Sequence, residues 1–353
     1  MPGSTGICRD SLRRTLLISC ILASAAILSA QETVRYEADK NWHDVCRRVM
    51  SQLLIPNRSS GPLTEKQLRT CDESALYYGL GRKPNYSAAL QCGWFQRAHP
   101  QHLVGSMFYG PGVLTMIYAN GKGVLRDYEL AIRFTCENER AAEAESAYRI
   151  GHLEYLQATP SETVAFDLCD DITSGLSDGF CTGVQTRAAT AVRARKIALI
   201  VRSLSPAANI EFRQLQSAET EFENARGAGE VDLSGTSRAA LYLAEKSRLE
   251  DQFLINLRRF EQNDIPGASA TDLDLLDRTL NETYQRLQHS PPGKWQFGTV
   301  TPAGIRKAER NWISLTAAWS AFARIAYPRL SETRIRAQLI RLRLHQLQSI
   351  EGN

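Results

Sequence analysis

Six histidines, His43, His99, His102, His152, His289 and His345, are the first residues to weigh for metal or acid–base chemistry. Only His99 and His102 stand close together, and Pro100 lies between them. A zinc site takes three or four protein ligands. No third ligand is near this pair, so neither a metal nor any other cofactor is expected. Gly79-Leu-Gly81 and Gly121-Lys-Gly123 do not extend into a phosphate-cradling loop. The chain also lacks an H-E-x-x-H zinc motif. An all-helical glycosidase needs two carboxyl groups across a cleft, and spacing alone identifies no such pair. The chain reads as non-catalytic, and an unrecognised glycosidase is the remaining enzymatic alternative.

The eight cysteines carry different chemistry. Cys8 and Cys20 precede residue 31, and the other six, Cys46, Cys71, Cys92, Cys136, Cys169 and Cys181, all fall in the first half of the remaining chain. There is no C-x-x-C pair. An even set of this kind in an exported chain reads as disulfides. Export is expected because Arg13 and Arg14 precede an apolar run, Leu16 to Leu28, that ends at Ala30. This is the pattern of a secretory signal peptide over residues 1–30, with a retained anchor as its competitor. No other membrane segment is expected.

With 353 residues, 43% hydrophobic and 23% charged, the chain has ordinary globular composition and room for two domains. Its charge is unevenly placed. Residues 31–183 hold 15 basic and 19 acidic side chains, and residues 184–353 hold 24 and 18. The halves of opposite sign fit mutual docking, or an anionic partner for the second half. With no nucleic-acid reader motif, nucleic acid is not an expected partner.

The elements that position these residues read as helices throughout. The clearest is Pro302 to Tyr327, capped by Thr301 and stopped by Pro328. Ile305, Ala308, Trp312, Leu315, Trp319, Phe322 and Ala326 recur at alternating steps of three and four, one apolar seam on a rod roughly 40 Å long. Further helical periodicity marks 41–54, 184–204, a stretch through Ile210, Leu215, Phe222 and Ala225, then 237–261, one capped by Thr271, and 332–348 made basic by Arg334, Arg336, Arg341 and Arg343. Gly175 to Gly183, rich in glycine and serine, is expected to be a boundary. The connection 289–301, with Pro291-Pro292-Gly293, would fold the Thr271 helix back on the 302–327 helix. The expected fold class is all-α: helical-hairpin repeats over 37–180, followed by an antiparallel helical bundle over 184–353.

The first part carries an internal repeat. Ala75-Leu-Tyr-Tyr-Gly79 is followed by Asn85-Tyr-Ser-Ala-Ala89, Leu114 to Gly121 by Asp127-Tyr-Glu-Leu-Ala131, and Ala147 to Gly151 by Ser161-Glu-Thr-Val-Ala165. Each copy is a helix, a glycine-bearing turn and a second helix that Asn85, Asp127 or Ser161 can cap. Cys71 and Cys92 stand about equally far from the first turn, so the hairpin sets them opposite each other and a Cys71–Cys92 bond is expected. Cys169 and Cys181, close in sequence, are a second candidate pair. Cys46 and Cys136 are left with their connectivity open. Over about residues 65–175 the pattern resembles the Sel-like class of tetratricopeptide-type repeats, whose members usually act as binding scaffolds.

The second half holds Leu276-Asp277-x-x-Leu280-Asn281-x-x-Tyr284, and later Glu309-Arg310-Asn-Trp312. The two motifs, in this order, resemble the lysozyme inhibitor LprI-like N-terminal domain family of exported bacterial proteins, over about 270–345. The Tyr-Arg-Asp element that often follows the family's tryptophan is replaced here by Leu315-Thr316-Ala317. Asp277, Asn281 and Tyr284 share one side of a helix. There Asp277 would pair with Arg310 across a hairpin and Asn281 would bridge the helices, fixing their register. The other reading is a polar patch facing a partner. The resemblance implies a periplasmic or secreted protein that binds or inhibits lysozyme or another cell-wall hydrolase; a cell-envelope interaction scaffold is the alternative. Complementary charge favours encounter, so a basic lysozyme would need local acid, for which the run Glu137, Glu139, Glu143, Glu145 in the first half is the candidate.

Overall fold

The computed structural model describes residues 38–53, 62–100, 107–138, 141–159, 164–289 and 298–351. The leader, His102, Glu139, Ser161 and Pro291-Pro292-Gly293 lie outside the described residues. Within them the protein is all-α, with thirteen helices and no strand.

The first seven helices are α1 (Trp42–Ser51), α2 (Glu65–Leu68), α3 (Glu73–Tyr78), α4 (Tyr86–Ala98), α5 (Pro111–Asn120), α6 (Tyr128–Glu137) and α7 (Glu143–Ala158). Two hairpins are built alike. Helices α3 and α5 each end on a left-handed glycine, Gly79 and Gly121. The partner helices start on side-chain caps, Asn85 accepting from the Ala88 amide at 3.0 Å and Asp127 from that of Leu130 at 2.9 Å. A third hairpin is absent from the described residues, because 164–171 form an irregular run and a turn rather than a helix. Their backbone is bonded elsewhere. Asn120 grips Phe166 through both its carbonyl and its amide, at 2.8 and 2.9 Å, and Arg149 donates to the Leu168 carbonyl at 3.1 Å.

Three disulfides staple this part: Cys46–Cys136, Cys71–Cys92 and Cys169–Cys181. They fit an oxidising, extracytoplasmic setting. Among the described residues no helix is long and apolar enough to cross a membrane.

The remaining helices are α8 (Gly175–Arg202), α9 (Pro206–Gly229), α10 (Arg238–Glu261), α11 (Ala270–His289), α12 (Pro302–Ala326) and α13 (Glu332–Glu351). Helix α12 follows its sequence pattern: Thr301 caps the Gly304 amide at 3.1 Å, and Ile305, Ala308, Trp312, Leu315, Trp319 and Phe322 are buried. Its main neighbour is α9, while α11 lies chiefly against α13. The direct α11–α12 hairpin expected from sequence is therefore a minor contact. Helices α9 and α12 pass so closely that a Cβ on Gly304 would stand 2.6 Å from the Gly229 carbonyl oxygen. Only glycine permits that approach. Ser269, rather than Thr271, caps α11, in a reciprocal box with Asp272.

Two apolar cores result, one drawn from residues 49–168 and one from 200–350. Helix α8 belongs to both. The glycine- and serine-rich stretch expected as a boundary is its first turns, started by the Ser174 cap. Glu145, fully buried on α7, holds this start by accepting from the Thr173 and Ser174 amides at 3.1 and 2.9 Å and from the Ser177 hydroxyl at 2.7 Å. Phe180 stacks on Phe108 of the first core, while Ile200 joins the second.

Candidate functional site

The motif residues divide between core and surface. Leu280 and Trp312 are buried, and Leu276 and Tyr284 pack half-buried against the same core. Asp277, Asn281 and Arg310 are exposed. Asn281 donates back within its own helix, to the Asp277 carbonyl at 2.9 Å and its carboxylate at 3.3 Å. Among the described residues there is no Asp277–Arg310 ion pair. The expected cross-hairpin pairing is thus corrected, because α11 and α12 each face a different neighbour. Asp277 and the buried Trp312 instead line one groove of about 490 Å³, with Thr316, Arg324, Glu332 and Arg336. The Thr316 hydroxyl is buried there with no partner among the described residues. Along α11, Asp272, Asp274, Asp277 and Glu282 are exposed, beside the single cation Arg278 up to that point.

Register is set by a different cluster. Arg343, one of the four arginines that make the last helix basic, is fully buried and bonds Glu230 through both terminal nitrogens, at 2.5 and 2.8 Å, and Glu309 through Nε at 2.9 Å. Arg226 completes the cluster, reaching Glu230 and, at 2.5 Å, Glu245. Helices α9, α10, α12 and α13 are tied at one level by these contacts. Burial pushes the Glu230 carboxyl up, but Arg343 and Arg226 outweigh it and hold it below the usual carboxylate value. Burial prevails at Glu309, which sits above it.

A second concavity, about 530 Å³, opens between α8, α9 and α10. Its walls are mostly apolar, from Ile197, Val201, Phe212 and Phe253, but Glu219, Glu223 and Glu250 also face it. Glu219 is 7% exposed and Glu223 5%. Among the described residues neither makes a hydrogen bond or ion pair. Burial, joined by the neighbouring Glu223 and Glu250, holds the Glu219 carboxyl well above its ordinary range. Burial and Glu250 push Glu223 up to about 7, against the pull of Lys246 and Arg193. Arg193 is committed to Asp251 at 2.9 Å, to Glu250, and to Ser247 and Thr190 at 3.1 Å each.

Sequence reasoning missed this pocket, although a signal existed. Phe212, Leu215, Glu219, Phe222 and Arg226 repeat the three–four spacing of a buried seam, with a carboxyl where a leucine would stand. The acidic run proposed for a basic partner is largely committed instead. Glu137 pairs with Arg97 and Arg133, and Glu145 is buried, leaving Glu143 exposed. The histidines are dispersed: His99 bonds the Phe95 carbonyl at 2.8 Å and His152 pairs with Asp171 at 3.0 Å. Among the described residues no group of side chains could hold a metal ion. Compared with family models, with curated proteins and with solved structures, the chain matches none of them.

Proposed function

We propose that this chain is an exported, non-catalytic binding protein of the bacterial envelope or its surroundings. Its bundle would engage, and inhibit, lysozyme or another cell-wall hydrolase, as the LprI-like resemblance of its second half implies. The Sel-like resemblance of its first half fits a scaffold for such binding. The observation that carries the reading is the exposure of Asp277 and Asn281. If the motif's polar residues served to lock helices together, they would be buried and paired across an interface. They lie in the open, Asp277 on a groove edged by Trp312, while Arg343, Glu230 and Glu309 do the locking. The exposed acids of α11 supply the local negative charge that a basic partner needs despite the half's net positive charge.

A glycosidase reading gains less support. Its two carboxyls must flank the scissile bond. Glu219 and Glu223, one helical turn apart, share one wall of the second pocket, and Glu250 is paired with Arg193.

The test is a turbidity assay of lysozyme on cell-wall suspensions with the oxidised full chain. Inhibition at micromolar excess is expected. Asp277→Arg combined with Asn281→Arg should weaken it roughly tenfold. Absence of inhibition at that excess rejects the proposal, and clearing by the chain alone would make it an enzyme.

A further inference from the structure

The pocket between α8, α9 and α10 shares no lining residue with the groove at Asp277, and neither motif contributes a residue to it. Its composition is unusual for a gap between packed helices. Apolar walls would by themselves suit a hydrophobic occupant, and an ordinary core would have closed over them with larger side chains. Instead the seam of α9 places Glu219 and Glu223 one turn apart on the pocket's wall. A buried polar group is normally hydrogen-bonded, and a buried charge is paired. Among the described residues these two carboxyls have neither kind of partner. Arg193, which also lines the pocket, directs its terminal nitrogens to α10 and to Thr190. The two carboxyls are therefore left without a bonded partner, on the wall of a largely apolar pocket of about 530 Å³ that Arg193, Arg213, Asn209 and Gln216 also line, within the size range of small-molecule sites.

We propose that this pocket binds a small organic ammonium ion, its charged nitrogen held between Glu219 and Glu223 and its apolar body laid against Phe212, Phe253, Ile197 and Val201. The apolar wall selects against bare inorganic cations, and the carboxyls select against neutral molecules of the same shape. An ammonium replaces the missing partner and favours the ionised carboxyls, so its entry expels a proton when the pocket starts protonated. The charged groups facing the pair are Arg193 on α8, Lys246 and Glu250 on α10, and Arg213 on α9 itself.

Calorimetry on the oxidised full chain tests this with 4-phenylbutylamine and its neutral counterpart 4-phenyl-1-butanol. The amine should bind roughly ten- to a hundredfold more tightly than the alcohol, the advantage of a charge-assisted hydrogen bond over a neutral one. At pH 6 the heat of amine binding should differ between two buffers of different ionisation enthalpy, which reports the released proton. Glu219→Gln with Glu223→Gln should remove the preference for the amine and leave the alcohol's affinity nearly unchanged. Ala198→Trp, on the pocket's exposed rim, should abolish binding of both without change in helical circular dichroism. Equal affinity for the two probes, binding of neither, or a preference that survives in the double glutamine variant would overturn the proposal. None of these readouts depends on lysozyme, so failure here and failure at the Asp277 groove are separable.

Discussion

Replacing Glu223 with glutamine should make the protein's stability less sensitive to pH, and the size of the effect comes from the pocket. An unfolded chain releases the Glu223 proton near the ordinary value of 4.5, whereas the folded chain holds it to about 7. Between these values the folded state keeps a proton that the unfolded state has lost. Stability therefore falls as pH rises, and the contribution present below pH 4.5 is gone above pH 7. At about 1.4 kcal/mol per pH unit, the difference amounts to about 3 kcal/mol. Glutamine has the same shape and cannot ionise, so the variant escapes this loss. Urea unfolding, followed by the fluorescence of the buried Trp319, would be measured from pH 4.5 to pH 8. The stability of Glu223→Gln relative to the unsubstituted protein should rise by about 3 kcal/mol across that range. Glu219→Gln should act with the same sign. Parallel stability curves would show that Glu223 ionises as freely in the folded protein as in the unfolded chain, and the electrostatic account of the pocket would fail.

Arg343→Leu should destabilise by about 3–5 kcal/mol, because Glu230 would be left as a buried charge short of its bidentate partner; denaturant midpoints would show it, and Arg343→Leu combined with Glu230→Leu should recover part of the loss. Gly304→Ala should cost about 1–3 kcal/mol by driving a methyl group into the backbone at Gly229, whereas Gly267→Ala, with open space around it, should leave the melting temperature nearly unchanged. Removing Cys46–Cys136, which spans a sequence separation of 90, should cost more than removing Cys169–Cys181, which spans 12; chain entropy gives about 4–5 against about 3 kcal/mol, read from unfolding of the paired serine variants.

What the sequence revealed was mostly local. The α12 seam, its Thr301 cap, the glycine-ended first helices and the Asn85 and Asp127 caps are decided within a few residues, and each stands where its spacing puts it. The Cys71–Cys92 pairing was legible for the same reason, since a hairpin makes partners of residues equally far from its turn. Decisions made by distant residues were not legible. Ser174 to Gly183 looks like a linker by composition, and becomes helix because Glu145 on another helix holds its first amides. Arg343 looks like surface charge until Glu230 and Glu309 close around it. Asp277 and Arg310 look like partners until α9 and α13 claim the two helices that carry them. Glu219, though overlooked, left a trace in the sequence, as a carboxyl out of place in an apolar repeat.

Helix α8 carries a consequence for how the molecule comes apart. It is one unbroken rod of 28 residues, bolted at one end by Cys169–Cys181 and Glu145 and burying Ile200 in the other core at its far end. A protease seeking a hinge between the cysteine-rich part and the cysteine-free part finds a wound helix instead of a tether. Chains truncated at residue 183 or started at 184 would each carry half of a severed helix and a raw apolar face. Such fragments should be recovered as aggregates or as a nicked complex held together, not as two independent soluble pieces.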